Sequence, residues 1–151
     1  MALSIATLTA EVLTIATPPH PASIALAKTR WAAAFRAYFA QGVAPLWSTI
    51  ALDAGAVAFV DNWDPFDQTG MEDAIEAMAL AMAVAQSIPP IPAVNYWTVT
   101  PPLVPFVMPA LPATNNALAA ALVMATAVDT WARLGAAFFT VPPAGAVVPW
   151  S

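Results

Sequence analysis

Apolar side chains near the start of the chain recur at the spacing of one helix face. Ile5, Leu8, Val12 and Ile15 lie three or four residues apart, although the many β-branched side chains in residues 3–16 are typical of a strand. The pattern leaves both structures open, and we favour the helix. A proline-rich break ends this segment.

Two further segments of the first half are rich in alanine and predict helices. Residues 22–41 contain no helix breaker, with Ser23 as the N-cap and Gly42 where a left-handed residue would end the helix. Residues 46–60 form an apolar segment of weaker helical character, because β-branched residues and a glycine interrupt it.

A capping-box pattern marks the start of the next helix. Thr69 and Glu72 have the spacing at which the hydroxyl and the carboxylate each satisfy an exposed backbone N–H. The helix is expected to run to about Ser87, because Pro89 and Pro90 cannot continue it.

The second half combines one strong helix with proline-rich segments. Residues 116–138 are apolar on every side, which predicts a buried helix capped by Thr114 or Asn115. Residues 88–113 and 141–151 are expected to be extended, and the first of these is too long for an ordinary connector. Such a segment either wraps its own domain or reaches onto a neighbouring molecule.

These elements together predict a mainly α fold in a single domain over residues 1–151. We expect a small bundle of three or four helices with long proline-rich extended connectors and arms, and one or two short strands within the connectors. The proline-rich segments are expected to make few contacts inside the bundle.

Composition makes the surface, rather than the core, the difficult part of this fold. Hydrophobic residues make up 60% of the chain and charged residues 9%, against about 25% charged residues in an average soluble domain. Much of the exterior must therefore be apolar. Monomers rarely tolerate large contiguous apolar patches, so we expect subunit contacts or lipid to cover this surface.

Charge and cysteine content narrow the classes of function. The net charge is −5, and three of the four basic residues (Lys28, Arg30 and Arg36) share one short segment, which argues against direct nucleic-acid binding. The absence of cysteine excludes disulfides and thiolate catalysis. No basic region precedes the first apolar residues, so we expect no signal peptide.

Lipid is the alternative cover for the apolar surface. No charged residue lies between Glu76 and Asp129, but prolines recur from 89 to 112 and prevent a long helix there. The flanking apolar windows are short for a bilayer span. We therefore keep a membrane-associated subunit as the alternative to a protein assembly.

The acidic loop at residues 61–67 is the best candidate for chemistry. Asp61, Asp64 and Asp67 form a weak candidate cation site, although the segment lacks the ligand and glycine positions of an EF-hand. A solvated loop that favours the following helix explains the same residues more simply. His20 is the single histidine and has no evident partner for a zinc site or for catalysis. We expect no cofactor and no enzymatic activity.

Aromatic and paired side chains are the candidate interface residues. Asp129 and Arg133 have the i, i+4 spacing of a helical ion pair, which is either a simple pair or a device that fixes helix register across an interface. Tryptophan is enriched at interface hot spots. The predicted interface residues are Trp97, Phe106, Trp131, Arg133 and Trp150.

The chain combines low charge with alanine and proline richness, arm-like ends and aromatic helix pieces at residues 31–39 (WAAAFRAYF) and 128–131 (VDTW). In these features it resembles the small virion proteins of tailed bacteriophages. The resemblance implies a non-enzymatic subunit located in the virion, in the capsid, neck or tail. Its expected partners are other copies of itself and neighbouring structural proteins.

Overall fold

The computed structural model describes residues 2–87, 97–112, 116–139 and 145–151. The described part is mainly helical, with one small antiparallel sheet, which confirms the predicted fold class. Its helices are α1 (Ile5–Ala16), α2 (Ile24–Phe39), α3 (Thr49–Asn62), α4 (Gly70–Ser87) and α5 (Ala117–Ala132). Its strands are β1 (Trp97–Thr100), β2 (Ala136–Phe139) and β3 (Val148–Pro149).

The first segment is a helix, as favoured from its spacing. Leu8, Val12 and Ile15 are buried along one face of α1, and the Ser4 side chain accepts the Thr7 N–H at 3.4 Å to cap it. Burial of this stripe against α2 and α5 outweighs the β-branched content of the segment.

The second helix begins as predicted but ends differently. The Ser23 hydroxyl accepts the Leu26 N–H at 3.1 Å, so Ser23 is the N-cap of α2. The expectation of a left-handed Gly42 is wrong, because no glycine has a positive φ. Gly42 is instead required by close packing, since a Cβ there would lie 2.9 Å from the Trp47 ring.

The predicted capping box at the start of α4 is not formed. The Thr69 N–H donates to the Asp67 carboxylate at 3.1 Å, and the Glu72 carboxylate accepts the Met108 N–H at 2.6 Å. Asp67 therefore performs the local role expected of Glu72, which is used for a distant contact.

The last helix is shorter than predicted. Asn116 caps α5 by accepting the Ala119 N–H at 3.0 Å, whereas the predicted caps Thr114 and Asn115 lie outside the described residues. The predicted end at residue 138 is wrong, because α5 ends at Ala132. The following β2 pairs with β1 on one side and β3 on the other, and these ladders replace the helical hydrogen bonds.

The helices pack in series around one core, α4 on α3, α3 on α2, α2 on α1, and α1 on α5. Residues 97–112, which we call the strap, lie between α5 and α4 and bond to both. The expectation that this segment makes few internal contacts is therefore wrong for its described part. The same holds for residues 145–151, whose Trp150 is 0% exposed.

Candidate functional site

The strap runs antiparallel to α4 and is held by side chains along that helix. Val99 N–H donates to the Ser87 hydroxyl at 3.0 Å, and Phe106 N–H donates to the Glu76 carboxylate at 2.6 Å. The Met108 N–H bond to Glu72 completes the series. Beyond β1, the N–H groups of this proline-rich segment must find acceptors other than a neighbouring strand. Carboxylates accept charge-assisted hydrogen bonds, which are stronger than those to neutral acceptors.

The other side of the strap is attached to the end of α5. The Trp131 indole N–H donates to the Val104 carbonyl at 2.6 Å, and the Phe106 and Trp131 rings meet edge to face at 5.6 Å. Both aromatic side chains are buried. The strap is therefore fixed between two helices rather than extended into solvent.

Three predicted interface residues lie in the core of the chain itself. Phe106 and Trp131 are buried and pack against each other where the strap meets α5. Trp150 packs edge to face on Trp47 at 4.9 Å, and its indole N–H donates to the Ala136 carbonyl at 3.2 Å. The Trp97 backbone pairs with Phe139 in the sheet. Phe106, Trp131 and Trp150 stabilise the subunit, so the exterior has to be identified from other side chains.

Arg133, the remaining predicted interface residue, is half-buried and belongs to a polar network with the buried Asp129 and Tyr38. Its guanidinium donates to both oxygens of Asp129, at 2.8 and 3.2 Å, and to the Leu3 carbonyl at 3.1 Å. Asp129 is 4% exposed and also accepts the Tyr38 hydroxyl at 2.6 Å. The network joins α2 and α5 to Leu3, which lies just ahead of α1. The Asp129–Arg133 pair therefore fixes the relative position of these elements within the subunit.

Protonation of this network follows from its burial. Desolvation, together with the hydrogen bond to Asp129, raises the pKa of the Tyr38 phenol far above its usual value. The hydrogen bond that Arg133 donates to Asp129 raises the pKa of the guanidinium. Tyr38 is therefore a neutral donor and Arg133 a permanent cation at all physiological pH values.

The outward side of the strap carries a group of exposed apolar side chains. Leu103 is 85% exposed and Val107 is 71% exposed. A hollow of about 390 Å³ between Leu80, Pro101 and Leu103 joins this side of the strap to α4. We use the name strap face for the exposed large apolar side chains of the strap and of the second half of α4, which are Leu80, Val84, Leu103, Val104, Val107 and Leu111.

The acidic loop does not assemble the candidate cation site. The Asp64 carboxylate accepts the Phe66 N–H at 2.9 Å, and Asp67 accepts the N–H and hydroxyl of Thr69 at 3.1 and 3.3 Å. Across the described ranges, no three potential ligand side chains come together as a metal would require. Asp64 and Asp67 stabilise the loop that contains them, and Asp61 is exposed at the end of α3.

Sequence reasoning missed Glu72 and Glu76 as the residues that hold the strap. The sequence signal for them is the i, i+4 spacing of two carboxylates on a helix that has no basic residue and is followed by a proline-rich segment. Two carboxylates in that setting need donors, and the backbone N–H groups of the strap need acceptors.

The chain matches no protein-family model, no curated protein and no solved structure. Among the described helices, none has both the length and the apolar character needed to cross a bilayer. The functional proposal therefore rests on the strap face and on the contacts that hold it.

Proposed function

We propose that the chain is a non-enzymatic structural subunit of a multi-copy assembly, and that the strap face is one of its contact surfaces. The observation that carries the proposal is the exposure of Leu103 and Val107 on a segment that is itself fixed by hydrogen bonds. A solitary exposed leucine is ordinary, but a group of six large apolar side chains is typical of an interaction site.

The rigidity of the strap supports this role. Association costs less when the contact residues are already ordered, because fewer rotamers and backbone states are lost. Glu76 and Trp131 each form a hydrogen bond to the strap backbone, so Leu103 and Val107 are presented in one arrangement. A loose arm with the same sequence would bind with a larger entropic cost.

The low charge of the strap and of the second half of α4 suits contact with a similar surface. Two carboxylates, Asp73 and Glu76, line the hollow beside Leu103, and Glu76 accepts the Phe106 N–H. The strap contains no charged residue, and α4 carries none after Glu76. Copies of this chain and neighbouring structural proteins of similar composition are the partners that cover such a face without leaving a charge unpaired. With the resemblance to small phage virion proteins, we place the subunit in the capsid, neck or tail of a virion.

The hydrogen bonds that several carboxylates accept within the chain favour a structural over a catalytic role. Glu72, Glu76 and Asp129 are the acidic side chains nearest the core, and each accepts hydrogen bonds that hold parts of the chain together. A general acid or base needs a group directed at a substrate.

The test is to place charge on the strap face and measure assembly. The double substitution Leu103→Lys with Val107→Lys adds two cations at exposed sites, so the fold should be retained. A matched control, Ala146→Lys with Val147→Lys, adds the same charge at exposed positions elsewhere. We expect light scattering on a sizing column to show smaller species for the strap variant and unchanged species for the control.

Equal assembly of both variants would contradict the role of the strap face. Circular dichroism of each variant separates loss of contact from loss of fold, because unfolding would reduce the helical signal.

A further inference from the structure

A second surface of the chain, centred on the acidic loop, has an aromatic side chain pointing into solvent. Phe66 is 86% exposed, the highest value among the large apolar residues of the described part. Its loop is ordered by its own carboxylates, with the Phe66 N–H on Asp64 at 2.9 Å and the Thr69 N–H on Asp67 at 3.1 Å. An ordered loop that exposes a phenyl ring keeps the cost of docking that ring low.

An apolar groove lies beside this loop, between α2 and α3. Its floor is formed by small and β-branched side chains, and its volume is about 380 Å³. Val57 on its wall is 61% exposed, and Arg36 and Asp61 stand at its rim. The floor consists of Ala32, Ala33, Ala56 and Val60.

The ring and the groove are neighbours on one face of the subunit. Asp61 lines both the groove and the hollow that contains Phe66. When a protruding group and a recess lie side by side, a two-fold axis between them brings the protruding group of each copy to the recess of the other copy. This is the arrangement of an isologous dimer, in which both subunits use the same surface.

The charges on this face are complementary under the same two-fold axis. The loop side carries Asp61, Asp64 and Asp67, whereas the side of α2 that lines the groove and the neighbouring hollow carries Lys28 and Arg36 and no acidic residue. Within the subunit, Lys28 donates to the Val60 carbonyl at 3.3 Å, and Arg36 pairs with Asp53 at 2.7 Å. The Arg36–Asp53 pair is exposed, so its rearrangement on docking costs little.

We propose that the groove between α2 and α3 receives Phe66 of a second copy of this chain, in a two-fold dimer. The acidic loop of each copy then faces the basic side of α2 in the other, and this electrostatic match favours a second copy over an uncharged or an acidic partner. The inference rests on the proposed multi-copy function and deepens it by naming a contact. With the strap face, it gives the subunit two separate contact surfaces, as an extended assembly requires.

The test uses the absence of cysteine from the chain. Phe66→Cys and Val57→Cys are made as separate variants, mixed in equal amounts and treated with a short bismaleimide. The mixed dimer keeps one of its two ring–groove contacts, because the Val57→Cys copy retains Phe66 and the Phe66→Cys copy retains Val57. We expect a cross-linked pair between position 66 of one copy and position 57 of the other. A mixture of Val147→Cys with Val57→Cys is the control, because Val147 is similarly exposed but lies in residues 145–151. A second variant, Phe66→Ser, should raise the dimer dissociation constant at least tenfold without changing the helical signal.

The outcomes separate this inference from the proposed function. Wild-type multimers that show no more cross-linking between positions 66 and 57 than the control would overturn the groove contact while leaving the multi-copy function standing. A wild-type chain that stays monomeric at every concentration would overturn both.

Discussion

At the scale of single residues, the carboxylate of Asp129 determines how the core responds to alkaline pH. Tyr38 donates to it at 2.6 Å and is fully buried, and its phenol has a raised pKa in the folded chain. A raised pKa means that the folded state keeps a proton that the unfolded state loses above about pH 10. The free energy of unfolding should therefore fall as pH rises beyond that value.

The prediction for Tyr38 is a pH-dependent loss of stability that the Tyr38→Phe variant lacks. Between pH 9 and pH 11 this group should lower the wild-type free energy of unfolding by about 1.4 kcal/mol, the value for one proton over one pH unit. Urea unfolding of both proteins at the two pH values measures the difference. Tyr38→Phe should be less stable than the wild type at pH 9, because it leaves Asp129 with fewer donors. Its free energy of unfolding should nevertheless fall by less between pH 9 and pH 11. Equal losses would show that Tyr38 ionises normally.

Gly135 is the residue at which a single methyl group should be most informative. A Cβ there would lie 2.5 Å from Cδ2 and 2.8 Å from Nε1 of Trp150, whose ring is buried against Trp47. Gly135→Ala should lower the free energy of unfolding by about 1–3 kcal/mol, because the rigid indole must move. At Gly145 the same Cβ would be 3.6 Å from the Phe139 Cβ, an ordinary contact. Gly145→Ala is the control, and similar unfolding midpoints for the two variants would contradict the packing argument.

At the scale of elements, the strap depends on its carboxylate acceptors. Glu76→Ala leaves the Phe106 N–H without its 2.6 Å bond and should lower the free energy of unfolding by about 1–2 kcal/mol. Glu76→Gln keeps a neutral acceptor and should lose less. Glu11→Gln removes an equal charge from the exposed side of α1 and is the control. Hydrogen exchange of the strap amides checks the mechanism, since protection at Phe106 should decrease in Glu76→Ala. Unchanged protection there would contradict it.

The elements also show which structures local sequence specifies. The apolar spacing of α1 and the Ser23 cap of α2 predicted these two helices, because a cap and a buried stripe are properties of neighbouring residues. β2 was missed, because Ala136–Phe139 continues the alanine-rich pattern of α5 and becomes a strand only through pairing with β1 and β3. Long-range pairing of this kind leaves no mark in a local window.

The strap shows the same limit for the candidate site. Its extended character follows from its prolines, but whether it wraps its own domain or a neighbour depends on Glu76 and Trp131, which lie 30 and 27 residues from their partners in the strap. The sequence indicated that aromatic residues would anchor contacts. It did not indicate that Phe106 and Trp150 would be used inside the subunit while Leu103 and Phe66 remained outside.

At the scale of the whole molecule, the composition and the structure both indicate that exposed apolar surface has to be covered by another molecule. The chain has few charged residues, and several of these, including Asp129, Arg133, Glu72 and Glu76, are used in internal contacts. The exterior is left with exposed apolar side chains on the strap face and around Phe66. An assembly covers both surfaces with protein, whereas a membrane-associated subunit would cover them with lipid.

The most direct measurement is the absolute mass of the wild-type chain in plain buffer, by light scattering on a sizing column over a wide range of concentration. We expect a discrete multimer of the 15.7 kDa chain, with the same mass when a mild detergent is present. A 15.7 kDa monomer at every concentration, or recovery of folded protein in detergent alone, would contradict it.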